Sequence, residues 1–218
     1  MRLAIFDLDH TLLSDDSDFL WGQFLCDEGH VDRAEYEATN RAFYEQYQAG
    51  TLDIMAFCAF SLRPLAMHDP ETLYAWRRRF VAERIAPIVA AQAPALLARH
   101  RAEGATLLIT SATNRFVTEP IAELLGVEHL IATDAEMVDG RYTGRVAGLP
   151  NFRSGKVTRL QQWLAAQPEV YSHKIAYSDS RNDIPLLEMA DEAVAVDADA
   201  VLSAEAVKRG WRAISLRG

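Results

Sequence analysis

The sequence predicts an α/β protein: a parallel sheet covered by helices on both faces, with a helical unit inserted after the first strand. Three observations carry this expectation. A short apolar run, Arg2-Leu3-Ala4-Ile5-Phe6, ends abruptly in Asp7-Leu8-Asp9, and a run of that length and apolarity suits a strand buried on both faces. About seventy residues then read as helix alone, far more than one crossover needs. Beyond Pro87 strands and helices alternate, the pattern of parallel pairing through right-handed crossovers.

The inserted unit reads as four helices. Asp15-Asp16-Ser17-Asp18 is a helix start, with acidic groups at the positive end of the helix dipole. Helical spacing then runs through Phe19, Leu20, Phe24 and Leu25 to a stop near Gly29. A second helix spans roughly Asp32 to Ala49 and ends at Gly50. A third begins near Thr51 and ends before Pro64, and a fourth follows Asp69-Pro70-Glu71, where aspartate caps and proline takes the first turn. In the remainder, a helix over Ala90–Glu103 precedes the strand Thr106–Thr110, and a helix from about Asn114 to Leu125 precedes the strand His129–Ala132. Residues 137–143 read as a hairpin around Asp139-Gly140. A helix from Ser154 to Ala166 leads to the strand Lys174–Ser178, and Val194–Val196 and Arg212–Leu216 complete the set.

Composition narrows the function. Of 218 residues, 50% are hydrophobic and 24% charged, ordinary for a folded protein, and the formal charge is −9. That balance argues against a general nucleic-acid partner or an anionic membrane surface, which need clustered cations. No apolar stretch is long enough to span a bilayer, and Asp7 comes too early for a signal peptide. Cys26 and Cys58 lie in apolar helical surroundings and make no disulfide framework, so both read as core filler and the cytoplasm is the expected compartment. The pattern leaves the oligomeric state open.

Chemistry gathers at the carboxyl ends of the strands, where open α/β sheets bind ligands. Asp7 and Asp9 follow the first strand at i, i+2, with Thr11 at i+4. Paired carboxylates there can hold a divalent cation, attack an electrophile or pass a proton; the plain alternative is that Asp9 or Thr11 caps the next helix. The strand at 106–110 runs into Ser111-Ala112-Thr113-Asn114 at a helix start, an arrangement that suits a phosphate group. Lys156 sits in the first turn of the 154–166 helix, where a cation opposes the dipole and a bound anion would balance it. The strand at 174–178 ends in Ser178-Asp179-Ser180-Arg181-Asn182-Asp183, which places carboxylates at i, i+4 beside Asp7, where they could complete an oxygen-rich Mg²⁺ site.

Taken in order, Asp7-x-Asp9-x-Thr11, Ser111, Lys156 and Asp179-x-x-x-Asp183 resemble the four motifs of the haloacid dehalogenase-like superfamily of phosphohydrolases. The resemblance covers the whole core. It implies a Rossmann-like three-layer core over 1–14 and 86–218, with residues 15–85 as a helical cap similar to that of the phosphoserine-phosphatase-like subgroup. Ser178 departs from that subgroup, where a glycine is usual. The resemblance implies that Asp7 is the nucleophile, forming an aspartyl phosphate, and that Asp9 is the general acid and then base. It implies further that Asp7, the Asp9 carbonyl and Asp179 hold Mg²⁺. Ser111, Ala112 and Lys156 would bind the phosphoryl group, with Thr11, Asn182 and Asp183 in support. An aspartate at i+2 suits an alcohol leaving group, which needs a proton; ion-pumping relatives carry threonine there, and dehalogenases need neither this acid nor the metal.

The expected reaction is therefore Mg²⁺-dependent hydrolysis of a small phosphorylated metabolite, favouring an amino acid or amino alcohol ester such as phosphoserine or histidinol phosphate. Asp16 or Asp18 would face the substrate amine, and Arg63 a carboxylate. Trp21, Phe24, Phe57 and Phe60 read as cap core rather than a binding box. A phosphomutase or phosphotransferase would use the same residues. A non-catalytic small-ligand binding module stands as a third reading, against which every catalytic position is filled.

Overall fold

The computed structural model describes all 218 residues. A six-stranded sheet, every pair parallel, runs in the order β3-β2-β1-β6-β7-β8, from β1 (Arg2–Phe6), β2 (Thr106–Asn114), β3 (His129–Thr133), β6 (His173–Ser178), β7 (Glu192–Val196) and β8 (Arg212–Ile214). Alternation along β1 explains the layers. Ala4 and Phe6 point into a cluster with Ile109, Phe116, Ile121, Tyr177 and Val196, while Leu3 and Ile5 join Leu160, Leu186, Leu187 and Leu202 on the other face. Helices α5 (Ala93–Ala102) and α6 (Arg115–Leu124) cover the first face; α7 (Ser154–Ala166), α8 (Ile184–Met189) and α9 (Ala200–Arg209) cover the second. The three-layer α/β expectation is met. No helix is long and apolar enough to cross a membrane.

Between β1 and β2 lie α1 (Ser17–Asp27), α2 (Arg33–Ala49), α3 (Ile54–Met67) and α4 (Pro70–Phe80), capped by Asp16, Asp32, Asp53 and Asp69, whose side chains accept backbone N–H groups of the first turns. Their interior is continuous with the first face of the sheet: Trp21 lies 5.6 Å from Phe116 and packs on Phe24 and Phe80. The two chain crossings run side by side, with Leu13 bridged to Val89, the Ser14 amide on the Ile88 carbonyl and the Ala90 amide on that of Leu12.

Several boundaries differ from expectation for physical reasons. α5 starts at Ala93 rather than Ala90 because Val89 and Ala90 are taken up in that crossing. α3 continues through Pro64, whose lost hydrogen bond is offset by burial of Leu62 and Leu65 on either side. β2 stays extended to Asn114, which caps α6 by accepting the Val117 amide at 3.2 Å. Ser111, Ala112 and Thr113 therefore sit at a strand end and not in a helix's first turn. The hairpin of β4 (Ala135–Val138) and β5 (Arg141–Val146) turns at Asp139 and Gly140, both at positive φ, the backbone a two-residue turn requires. α9, capped by Asp199, was not expected from the sequence.

Candidate active site

Register builds the site. Phe6 pairs with Ile109 on one side and Tyr177 on the other, so Asp7, the Thr110-Ser111 step and Ser178-Asp179 emerge level at the carboxyl edge. β1 is also where strand order reverses, the chain winding first to β2 and β3 and later to β6, which is where such sheets bind ligands.

At the centre, Lys156 Nζ donates to Asp7 Oδ1 and to Asp183 Oδ2, both at 2.7 Å, and all three side chains are buried. Burial alone would push the Lys156 ammonium down; the charges and hydrogen bonds of Asp183 and Asp7 outweigh it and hold the group above its ordinary value. Two carboxylates thus balance this cation in the first turn of α7. Asp183 is itself raised by burial, an effect that Lys156 opposes. Asp179 is raised well above the usual carboxylate range by burial and then by the charges of Asp7 and Asp183. Thr11 locks its loop: Thr11 Oγ1 donates to Asp179 Oδ1 at 3.1 Å and accepts the Asp179 amide at 3.0 Å. Thr11 caps no helix.

Residues 8–12 leave β1 in one wide turn closed by the Leu13 amide on the Leu8 carbonyl at 3.0 Å, with His10 at φ 55°. The turn points Asp9 back across the cleft. Asp9 Oδ2 accepts Thr113 Oγ1 at 2.8 Å and Ser111 Oγ at 3.4 Å, while Oδ1 accepts the Ser17 amide at 2.7 Å. The Asp9 carboxylate thus satisfies a backbone donor at the start of α1 while lining the same cleft as Asp7.

A cleft of about 560 Å³, counting its mouth, opens beneath the helical insert. Asp7, Asp9, Ser111, Ala112, Thr113 and Lys156 form its floor; Asp16, Asp18, Phe19, Asn40, Phe43, Tyr44, Tyr47, Leu52, Ile54 and Phe57 form its walls. Asp16 caps α1 through the Phe19 amide and lines the cleft as well. Asp18 accepts Asn114 Nδ2 at 3.0 Å. Burial, followed by the charge of Asp9, pushes the Asp18 carboxyl up to about 7, and the same two causes lift Asp16. Arg63 is corrected: it lies on the outer surface against Glu35 at 3.4 Å and does not line the cleft, because α3 turns that face to solvent. Phe57 is corrected too, being a wall of the cleft, whereas Trp21 and Phe24 are core and Phe60 packs on Tyr36 and Phe43.

Asn182 accepts Arg153 Nε at 3.0 Å and is buried beside Asp183. Ser178 keeps an ordinary backbone, and its hydroxyl donates to Asp183 Oδ2 at 2.8 Å while accepting the Ser180 amide at 3.1 Å. Sequence reasoning missed Thr113, Asn151 and the aromatic wall from α2. Asn151 is fully buried, its Nδ2 within 2.9–3.1 Å of Thr110 Oγ1 and the Ser111 and Ile131 carbonyls, and so ties the loop before α7 to the end of β2. A buried asparagine in a Pro-Asn-Phe loop looks like any turn residue in sequence; Tyr44 and Tyr47, spaced i, i+3 on one helix face, offered a signal.

The donor set suits a hard divalent cation. Asp7 and Asp179 are buried carboxylates that repel one another, and such a pair with additional oxygen donors is how Mg²⁺ is held. No group of three acidic, histidine or cysteine side chains has metal-holding geometry, so carbonyl, hydroxyl or water oxygens would complete the set.

The centre of the site is thus a buried carboxylate gripped by lysine, at the topological switch of a parallel sheet. Residues 4–188 match the haloacid dehalogenase-like hydrolases, and the chain belongs to that family. Within it the protein is a phosphoric monoester hydrolase acting on a small phosphorylated metabolite. It is 45% identical to a histidinol-phosphatase of Neisseria meningitidis serogroup C (strain 8013) over 220 residues, 99% of each chain. A crystal structure of a Bordetella pertussis Tohama I protein of unknown function is 45% identical, with a TM-score of 0.93 over 99% of this chain and 98% of the other. A substrate-bound phosphoserine phosphatase shares the fold at 18% identity, with a TM-score of 0.71 over 99% of this chain and 92% of the other. Phosphatases of this family generally use Mg²⁺.

Proposed function

We propose that the protein hydrolyses an amine-bearing, carboxylate-free phosphate monoester, an amino alcohol phosphate of the histidinol phosphate kind, through an aspartyl phosphate on Asp7. One observation carries the substrate class: the cleft joins the phosphate end to the Asp16–Asp18 pair, and Lys156 is its only cationic side chain. An ammonium finds partners there; a substrate carboxylate finds none, since Arg63 faces away. The phosphorylated amino acid is thereby the weaker of the two substrate types the sequence suggested. The aromatic and apolar walls suit a flat ring beside the amine. The name of the Neisseria relative agrees with this reading.

The chemistry follows from the side chains. The Asp7 carboxylate, oriented by Lys156, attacks phosphorus in line with the leaving alkoxide, while Lys156 offsets the charge of the equatorial oxygens and Ser111 donates a hydrogen bond to them. Asp9, fixed by Thr113 and the Ser17 amide, donates a proton to the alkoxide and then takes one from the water that hydrolyses the acyl phosphate. Asp7, Asp179 and the Asp9 carbonyl would hold Mg²⁺, which supplies charge neutralisation at the phosphoryl group. Asn182 and Asp183 support this set, with residues 15–85 acting as the cap that excludes water.

Phosphate release from histidinol phosphate, phosphoethanolamine, phosphoserine and sugar phosphates tests the substrate class. Preference for the first two by tenfold or more over phosphoserine is expected; phosphoserine as the best substrate overturns it. Phosphoryl groups retained on an added alcohol would mark a transferase.

A further inference from the structure

Arg153, immediately before α7, has φ 50° and ψ −120°, a backbone conformation that a side chain with Cβ adopts only when its surroundings hold it there. What holds it lies on two different parts of the molecule. Its Nε donates to Asn182 Oδ1 at 3.0 Å, in the loop between Asp179 and Asp183. Its Nη2 donates to the carbonyl of Gly50, the left-handed residue that ends α2 in the helical insert. The guanidinium also lies 5.0 Å over the Phe152 ring. Gly50 also lies close to the neighbouring arginine of the same loop: a Cβ there would meet the Arg181 guanidinium at 3.1 Å.

We infer that Arg153 is a positioning residue that clasps the insert to the catalytic loop, so that the aromatic wall carried by α2 is held over the cleft only while Asn182 is held beside the metal-binding carboxylates. The geometry needs a fork. One planar guanidinium offers a separate nitrogen to each acceptor from fixed directions, whereas a lysine would have to bring one nitrogen within reach of both. Gly50 closes the helix that carries Phe43, Tyr44 and Tyr47, so the clasp acts on leaving groups that lie under that wall.

The test compares two phosphoryl donors with good leaving groups, one an aryl ester and the other an acyl phosphate, which removes the demand for a general acid. p-Nitrophenyl phosphate places a ring under the α2 wall, while acetyl phosphate is too small to reach it. For Arg153→Ala and Arg153→Lys, kcat/KM on p-nitrophenyl phosphate should fall about tenfold further than on acetyl phosphate, mostly through KM, in variants that still melt cooperatively. An equal fall on both compounds would mean that Arg153 merely shapes the start of α7, and no fall on either would mean that the clasp is idle; either outcome overturns the inference. Full recovery with lysine would overturn the fork. Because neither compound carries an amine, the result stands apart from the proposed substrate class.

Discussion

Lys156→Met removes the charge while keeping an apolar stem of similar volume. The lysine is 3% exposed and bonded at 2.7 Å to each of two buried carboxylates. Breaking such a group leaves uncompensated buried charge, which costs about 3–5 kcal/mol. For a chain of this size each kcal/mol moves the melting temperature by about 2–4 °C, so a fall of roughly 6–20 °C follows at pH 8. The deficit depends on pH in a defined sense. Asp183 is already raised by burial, with Lys156 opposing the rise, so removing the lysine raises it further. A carboxyl whose folded pKa exceeds its unfolded value destabilises the fold at pH above both, and that penalty disappears as pH falls below the unfolded value of about 4. Thermal melts of both proteins in chelator, at pH 8 and pH 5, should therefore show the gap narrowing at the lower pH. A melting temperature within 2 °C of wild type at pH 8, or a gap that widens on acidification, would refute the electrostatic account of this centre.

Asp18→Asn should raise KM for an amine-bearing ester about tenfold or more with little change in kcat. Because the Asp18 carboxyl is pushed up to about 7, wild-type KM should rise as pH drops from 8 to 6 and the variant's should not; steady-state kinetics at both pH values checks this. Ser178→Ala removes the hydroxyl that donates to Asp183, a bond to a charged group that contributes about 1.5–3 kcal/mol, so chemical denaturation should report a loss in that range and kcat should fall severalfold. Arg63→Ala removes an exposed ion pair outside the cleft, and KM for every ester of the panel should stay within about twofold of wild type.

The central strands were legible because short apolar runs give way to polar residues at the carboxyl edge: Phe6 to Asp7, Ile109 to the Thr110–Asn114 extension of β2, and Ser178 to Asp179. Once the strands are parallel and in register, those ends are forced together. The insert's helices were equally plain, since Asp16, Asp32, Asp53 and Asp69 cap all four of them. What the pattern hid depends on which face a helix turns inward. Arg63 on α3 and Tyr44 and Tyr47 on α2 look alike as polar-tipped side chains at helical spacing, and packing between helices decides that the tyrosines line the cleft while the arginine meets Glu35 in solvent. Thr113 and Asn151 were hidden for another reason: small polar residues at a strand end and in a proline loop acquire their partners only after long-range pairing. α9 carries the ordinary helix signals, Asp199 at its start and Gly210 at its end, and was legible in principle although it was not expected.

The account rests on Asp7 as the nucleophile. The most direct measurement is Mg²⁺-dependent phosphate release from histidinol phosphate by wild type and by Asp7→Asn, with melting curves of both. Loss of turnover in a variant that still melts cooperatively is the predicted result; turnover near the wild-type rate would contradict the covalent mechanism.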